Sequence, residues 1–242
     1  VKILLLDIET YPHIAYVWGL FKQNIPISHI AEPGRTACWA AKWYGEEEVF
    51  FGAEWEDEDF IGKIWDLLYE ADVVVHYNGS RFDIPTLNRE FILAGGQPPA
   101  PYHEIDLLRP ARKHFRFPSN KLDYISQELG IGQKIAHRGM DLWTGCMHND
   151  KECQVEMEEY NRQDVVLLEP LYEKLLPWID NHPHVGLYTD SDEEIVCRNC
   201  GSSDLQKRGF QTTRLLKYQR YRCNNCGKWN RTKTSVETTV TR

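Results

Sequence analysis

The 242-residue sequence predicts an α/β protein in which helices flank a mixed sheet, with a small metal-held β module after it. Three observations predict this. Apolar strand-like runs dominate the first quarter of the chain, strand and helix patterns then alternate to about residue 179, and four cysteines stand in two Cys-x2-Cys pairs near the end. We place a first domain at residues 1–180, a polar linker NHPHVGLYTDSDEE at 181–194, and the cysteine module at 195–242.

The elements follow in order. KILLLDIE reads as a buried strand, AYVWGL and TACWAAKWY as two more, and EEVFFGA as a fourth. EDEDFIGKIWDLLYEA has helical spacing at Phe60, Ile64, Leu67 and Leu68. ADVVVHYN is a short buried strand, and DIPTLNREFILAGG a helix opened by Pro85 and closed by Gly95. Short helices are expected around DLLRPARKHF and NKLDYISQELG. QVEMEEYNRQDVVLLEPLYEKLLPWI supplies a long last helix, with a break or kink expected near Pro170.

Charge divides the chain the same way. From Cys197 onward 11 Lys and Arg stand against 2 acids, giving +9, while the preceding residues carry 17 bases and 34 acids, giving −17. A basic tail on an acidic body suggests a module that faces a polyanion, although basic surface also simply solubilises small domains. No apolar run approaches the roughly 18 residues that cross a bilayer, and ILLL is too short for a signal-peptide core. The expectation is a cytoplasmic protein without a membrane partner.

Acids occupy awkward places in the body. Strand side chains alternate, so Asp7 and Glu9 share the face of Ile3 and Leu5, at the end of a strand that reads as buried. Asp83 precedes a helical run by two residues before Pro85; taken alone, an N-cap explains it. In the last helix Met157, Tyr160, Asp164, Leu168, Leu171 and Leu175 form one core-facing stripe, which puts an acid on the apolar side. Four carboxylates that converge repel one another severely unless cations sit among them. A buried ion pair with an Arg is the plain structural alternative for Asp164. Oxygen-only ligands suit Mg²⁺ or Mn²⁺, and two such ions are one known solution for phosphodiester hydrolysis. Asp106 and Asp141 read as helix-capping acids.

DIET (Asp7-x-Glu9), NGSRFD (Asn78 to Phe82-Asp83) and YNRQD (Tyr160-x-x-x-Asp164) resemble, in order, the three motifs of the DEDD superfamily of 3′→5′ exonucleases. The resemblance spans roughly Val1 to Ile179 and implies a ribonuclease H-like fold with a mixed five-stranded sheet. Tyr-x-x-x-Asp resembles the tyrosine subclass, which includes polymerase proofreading domains and ribonuclease D; the histidine subclass would carry His at Glu159. It implies that Asp7 bridges two Mg²⁺ or Mn²⁺ ions, that Glu9 and Asp164 complete the coordination of the first ion, and that Asp83 holds the second ion, often through water. Tyr160 would position water, while Thr10, Asn78 and Phe82 would meet the 3′-terminal nucleotide. Asn78 as a turn former and Phe82 as a core residue are the structural alternatives.

The remaining chemistry is in the cysteines. Cys197-x2-Cys200 and Cys223-x2-Cys226 form a strong tetrahedral Zn²⁺ signal, with Gly201 and Gly227 placed where each turn needs positive φ. A module this small lacks an adequate core, so the metal would supply folding energy; two disulfides are the alternative. Cys38, Cys146 and Cys153 read as ordinary buried residues. The sequence resembles zinc ribbons of transposases and transcription-related proteins. Arg208, Lys217, Tyr218, Arg220, Tyr221 and Arg222 lie between the pairs and, with Phe210 and Trp229, suit phosphate contact plus base stacking. A protein-docking ribbon is the competing reading. Together these features predict a two-metal 3′→5′ exonuclease acting on DNA, single-stranded by expectation, in repair, replication or a phage, with replication or repair proteins as partners. An exoribonuclease with the same site and a non-catalytic nucleic-acid-binding adaptor are the alternatives.

Overall fold

The computed structural model describes residues 1–188 and 195–238. The chain runs β1 (Ile3–Thr10), β2 (Ile14–Ala15), β3 (Ile30–Glu32), β4 (Thr36–Trp43), β5 (Val49–Ala53), α1 (Phe60–Glu70), β6 (Val73–His76), α2 (Asp83–Leu93), β7 (His103–Asp106), α3 (Leu108–His114), α4 (Leu122–Glu128), α5 (Met140–Met147) and α6 (Lys151–Leu175). The C-terminal module adds β8 (Leu205–Thr212), β9 (Leu216–Cys223), β10 (Trp229–Arg231) and β11 (Glu237–Thr238). The main sheet is five-stranded, in the order β5-β4-β1-β6-β7. β1 pairs antiparallel with β4 and parallel with β6, which makes the sheet mixed, as expected.

Alternation along β1 divides the core. Ile3 and Leu5 pack with Val165, Leu168 and Leu171 of α6, whereas Leu4, Leu6 and Ile8 pack with Phe60 and Ile64 of α1 and Leu87 of α2. Asp7 and Glu9 continue the first series, so the strand's own period aims both acids toward α6. Asp150 caps α6, accepting from the amides of Glu152 (2.9 Å) and Cys153 (3.4 Å). The helix does not break at Pro170. The carbonyl that this proline leaves unpaired belongs to Val166, an exposed residue whose backbone water can serve.

Three sequence expectations need correction. AYVWGL is not a strand of the main sheet: Ala15, with Ile14 before it, pairs with β3, and Tyr16 to Phe21 are largely exposed. The fifth strand, β7, was hidden because HEID is short and half charged. GMDLW opens a helix, α5, whose cap position is Gly139, and Asp141 lies in its first turn rather than capping it. Among the described residues no helix is long and apolar enough to cross a membrane.

In the C-terminal module β9 is flanked by β8 on one edge and by β10 and β11 on the other. The four cysteine sulfurs lie within 4.8 Å of one another, with Cys197–Cys226 and Cys200–Cys223 each 3.6 Å apart. A tetrahedral zinc with bonds near 2.3 Å has edges of about 3.8 Å, so the cluster fits that ion. Gly201 and Gly227 have φ of 72° and 81°, and their amides close each knuckle onto Cys197 and Cys223.

The module is seated on the end of α6. Lys228, buried, donates to the carbonyls of Ile179 (2.7 Å) and Pro177 (3.1 Å), and Asn199 donates to that of Leu176 (2.7 Å). Arg198 donates to the carbonyls of Asp180 (2.9 Å) and His182 (3.2 Å). These donors serve carbonyls of the 3-10 turn Leu176–Trp178 and of the chain just beyond it, which follow α6 directly. Hydrogen bonds to charged donors are worth about 1.5–3 kcal/mol, so Lys228→Ala should lower the urea-unfolding free energy by about that amount. An unchanged midpoint would show that water serves these carbonyls equally well.

Candidate active site

The site forms where the end of β1 and the start of α2 meet the middle of α6. One carboxylate oxygen from each of Asp7, Glu9 and Asp164 lies within 4.8 Å of the others. Asp83 stands beside them: it is the first residue of α2 rather than its cap, is buried, and accepts from the Ile8 amide at 3.2 Å. The preceding loop is tightly built. A Cβ on Gly79 would come within 2.4 Å of the His76 ring, and Asn78 holds φ at 67° with its amide donated to Asp106 at 2.8 Å. Asp106 also accepts from the Leu108 amide at 3.0 Å, but the cap position of α3 is Leu107, so Asp106, the last residue of β7, braces the helix start from one residue before the cap and serves the Asn78 turn as well.

The other residues singled out in the sequence fall as follows. Tyr160 is buried one helical turn before Asp164, its ring edge against His137 and Trp143. Thr10 is half-buried and pairs with Thr36 of β4. Phe82 is exposed at the start of α2, which rules out a core role for it. On the ribbon, Arg208 and Arg222 are exposed, while Tyr218 and Tyr221 are only 9% and 8% exposed. Cations cover several rings there: Lys217 over Phe210, Arg220 over Trp229 and Arg231 over Tyr218. The exposed rings are therefore Phe210 and Trp229. The ribbon does not join the acid cluster: Asp164 and Leu176, where it is seated, are separated by about 18 Å of helix rise.

Two residues at the cluster were missed in the sequence. Lys134, from the loop between α4 and α5, forms an ion pair with Asp164 and donates to the Tyr160 hydroxyl at 3.1 Å. Asn161, on α6, donates to Asp7 at 2.8 Å. Lys134 lies in an irregular segment with no periodicity to read; the one signal was that four acids need a cation. Asn161 was legible in principle, since it neighbours Tyr160 and lies one turn ahead of Val165 on the buried side.

The electrostatics follow from this crowding. Burial, then repulsion from Asp83, Asp164 and Glu9, pushes the Asp7 carboxyl well above the ordinary range. Burial and Asp164 push Glu9 up to about 8, and burial pushes Asp83 up to about 6 against the opposing pull of His76. Burial raises Asp164 despite Lys134. Burial alone would lower the Lys134 ammonium, but Asp164 and Asp7 outweigh it and keep the group charged. The Tyr160 phenol is pushed up to about 12, chiefly by burial, so it stays protonated at neutral pH.

One lysine does not balance four acids. Asp164 keeps a buried carboxylate oxygen, Oδ1, without a partner. An all-oxygen donor set with an orphaned carboxylate oxygen fits hard divalent cations such as Mg²⁺ or Mn²⁺. A cleft of about 540 Å³ opens from Asp7 and Tyr160, and Arg112, Lys121, Lys134 and His137 are among its lining residues.

Known proteins agree with this architecture. A structure of the family B DNA polymerase from the hyperthermophilic archaeon Pyrobaculum calidifontis is similar, with a TM-score of 0.57 and 22% identity. The match covers 73% of this chain and 24% of the polymerase chain, and it shows a shared fold. No curated protein sequence matches the chain. Residues 4–176 match the RNase_H superfamily, and with most of its length so covered, the chain belongs to that superfamily.

Proposed function

We propose that the chain is a metal-dependent 3′→5′ exonuclease acting on single-stranded DNA, with the zinc ribbon as an auxiliary nucleic-acid contact. The observation that carries the reading is the convergence of Asp7, Glu9, Asp83 and Asp164, drawn from three elements, beside Tyr160 at a cation-lined cleft. DNA is the substrate class proposed, and matched DNA and RNA oligonucleotides test it.

In this reading Asp7, Glu9 and Asp164 would hold one Mg²⁺ or Mn²⁺, and Asp83, with Asp7, would hold a second. When bound, such ions activate water and stabilise the leaving oxygen. The chain's own groups do the rest. Tyr160, a neutral phenol fixed by Lys134, orients the attacking water as a hydrogen-bond partner and does not act as its base. Asn161 fixes the Asp7 carboxylate. Arg112 and Lys121 offer charge to the phosphates behind the scissile one, while Thr10, Asn78 and Phe82 border the terminal nucleotide. On the ribbon, Arg208, Arg222 and the exposed rings of Phe210 and Trp229 offer phosphate and base contacts, with Lys217 and Arg220 alongside and Tyr218 and Tyr221 beneath.

Asp7→Ala and Asp83→Ala should each abolish the shortening ladder of a 5′-labelled oligonucleotide in Mg²⁺ or Mn²⁺, in a protein still folded because a repelling acid has gone. Near wild-type turnover in both variants would sink the metal-site assignment; matched DNA and RNA oligonucleotides decide the substrate. Tyr160→Phe keeps the ring but removes the hydroxyl, and should lower kcat by about 10²- to 10⁴-fold with little change in KM. An unchanged chemical step would leave Tyr160 as core only.

A third test uses pH. Glu9 and Asp83 are raised in the folded state, so folding holds protons that the unfolded chain releases. Their contribution is fully present below the ordinary carboxylate range and is lost as pH rises through about 6 and then about 8. In chelator, Tm should therefore fall between pH 5 and 9, with a shallower fall in Glu9→Gln. Added Mn²⁺ should raise Tm more at pH 8 than at pH 5. Identical slopes for Glu9→Gln and wild type would contradict the assigned strain.

A further inference from the structure

The connection between β1 and β4 is far longer than a hairpin needs. Tyr11, its first residue, is buried in the cluster that holds Tyr160 and Leu142, and its amide donates to the Arg35 carbonyl at 2.9 Å. The His13 ring accepts from the Gly34 amide at 2.8 Å, closing the base. Beyond it β2 and β3 pair, the Tyr16 amide donates to the His29 carbonyl at 2.9 Å, and residues 16–29 form an arm. This arm carries large apolar side chains in the open: Tyr16 is 76% exposed, Trp18 95% and Phe21 86%. Leu20 and Ile27 are exposed as well. A contiguous display of this kind marks a binding surface rather than ordinary surface scatter.

Two observations identify the occupant. The arm follows the strand that delivers Asp7 and Glu9, and Tyr11 at its base packs in the cluster that holds Tyr160, a lining residue of the proposed substrate cleft. From Tyr11 to Ala31 there is no acidic residue, whereas Lys22, His13 and His29 are present, in a body that otherwise carries acids two to one over bases. A segment of exposed rings without negative charge complements an unpaired nucleic-acid strand, whose bases stack on rings and whose phosphates repel acids.

We propose that the Tyr16–His29 arm is a second contact for single-stranded nucleic acid, with Trp18 and Phe21 stacking on bases upstream of the 3′ end. This rests on the exonuclease reading for where the strand lies, but it is tested by binding alone. The experiment measures Kd of the full chain for 5′-fluorescein oligothymidylates of 4 to 12 nucleotides, in EDTA so that no turnover occurs.

Each base–aromatic stack is worth about 5- to 150-fold in affinity, so Trp18→Ala with Phe21→Ala should weaken the longer oligonucleotides by at least about fivefold and flatten the gain with length. Trp18→Phe with Phe21→Tyr should restore most of it, which a loss of structure would not allow. Both side chains are exposed, so Tm should stay within a degree or two. Wild-type affinity in the alanine variant would overturn the proposal. So would unchanged affinity with a lower mass by light scattering, which would make the arm a contact between copies. If wild type binds and the variant does not, while neither cleaves with metal added, the arm stands and the exonuclease reading falls.

Discussion

Mutual repulsion among four carboxylates is the constraint around which the body is organised. Asp7 and Glu9 reach the site because a buried strand with period two places every second side chain toward α6, and Asp164 arrives because a helical stripe places it there. Neither placement is favourable alone: burial and like charge raise every one of these carboxyls. The fold tolerates the cluster because each acid is anchored by something else. Asp83 receives the Ile8 amide, Asp7 receives Asn161, and Asp164 receives Lys134. What these partners leave over is an unsatisfied demand for positive charge, localised to a few ångströms, and that demand is the functional property of the site.

Helix α6 transmits the second organising relation. It carries Tyr160 and Asp164 near its middle and runs straight into the 3-10 turn whose carbonyls hold the ribbon. Lys228, Asn199 and Arg198 supply donors that water would have to supply in an isolated domain. Removing the ribbon would therefore not be a clean subtraction, because the turn after α6 would lose these donors while the proposed catalytic residues lie on that helix. His182 and Val185 are buried within the stretch that polarity alone marks as a linker, with His182 against the Tyr172 hydroxyl. Polar composition there reflects a contact surface made of backbone carbonyls and side-chain donors.

What could be read in the sequence divides along the same physical line. Asp7, Glu9 and Asp164 were legible because regular periods of two and 3.6 fix which face a residue occupies. The cysteine knuckles were legible because chelation by a tight turn demands fixed spacing. Lys134 was not, since an irregular loop has no period, and its place beside Asp164 is set by tertiary packing and by the Asp123 carboxylate that accepts its amide at 2.9 Å. β7 was lost because four residues, three of them polar, draw their strand character from pairing with β6 rather than from their own pattern. AYVWGL failed in the opposite sense: its apolar residues suggest burial, but of its six positions Ala15 alone lies in a paired strand. An apolar run is thus evidence of an interface to be filled, and the sequence alone does not say whether the chain itself fills it.

Charge poses the last problem. A body of net −17 repels a polyanion at long range, yet the proposed substrate must reach its most acidic point. Screening settles the contest by distance: at physiological salt the Debye length is about 8 Å, so acids elsewhere on the surface are largely silenced at the cleft. The cleft lining presents Arg112, Lys121, Lys134 and His137 beside Asp7 and Asp123, and the acids clustered with Asp7 are what the proposed cations would offset. In the proposed reading the ribbon, at +9, raises the local concentration of a strand rather than aiding the chemical step. The acid-free arm that follows β1 would add surface that a phosphate backbone can approach. On that reading capture and chemistry fall to separate parts of the chain, joined through α6 and the turn that follows it.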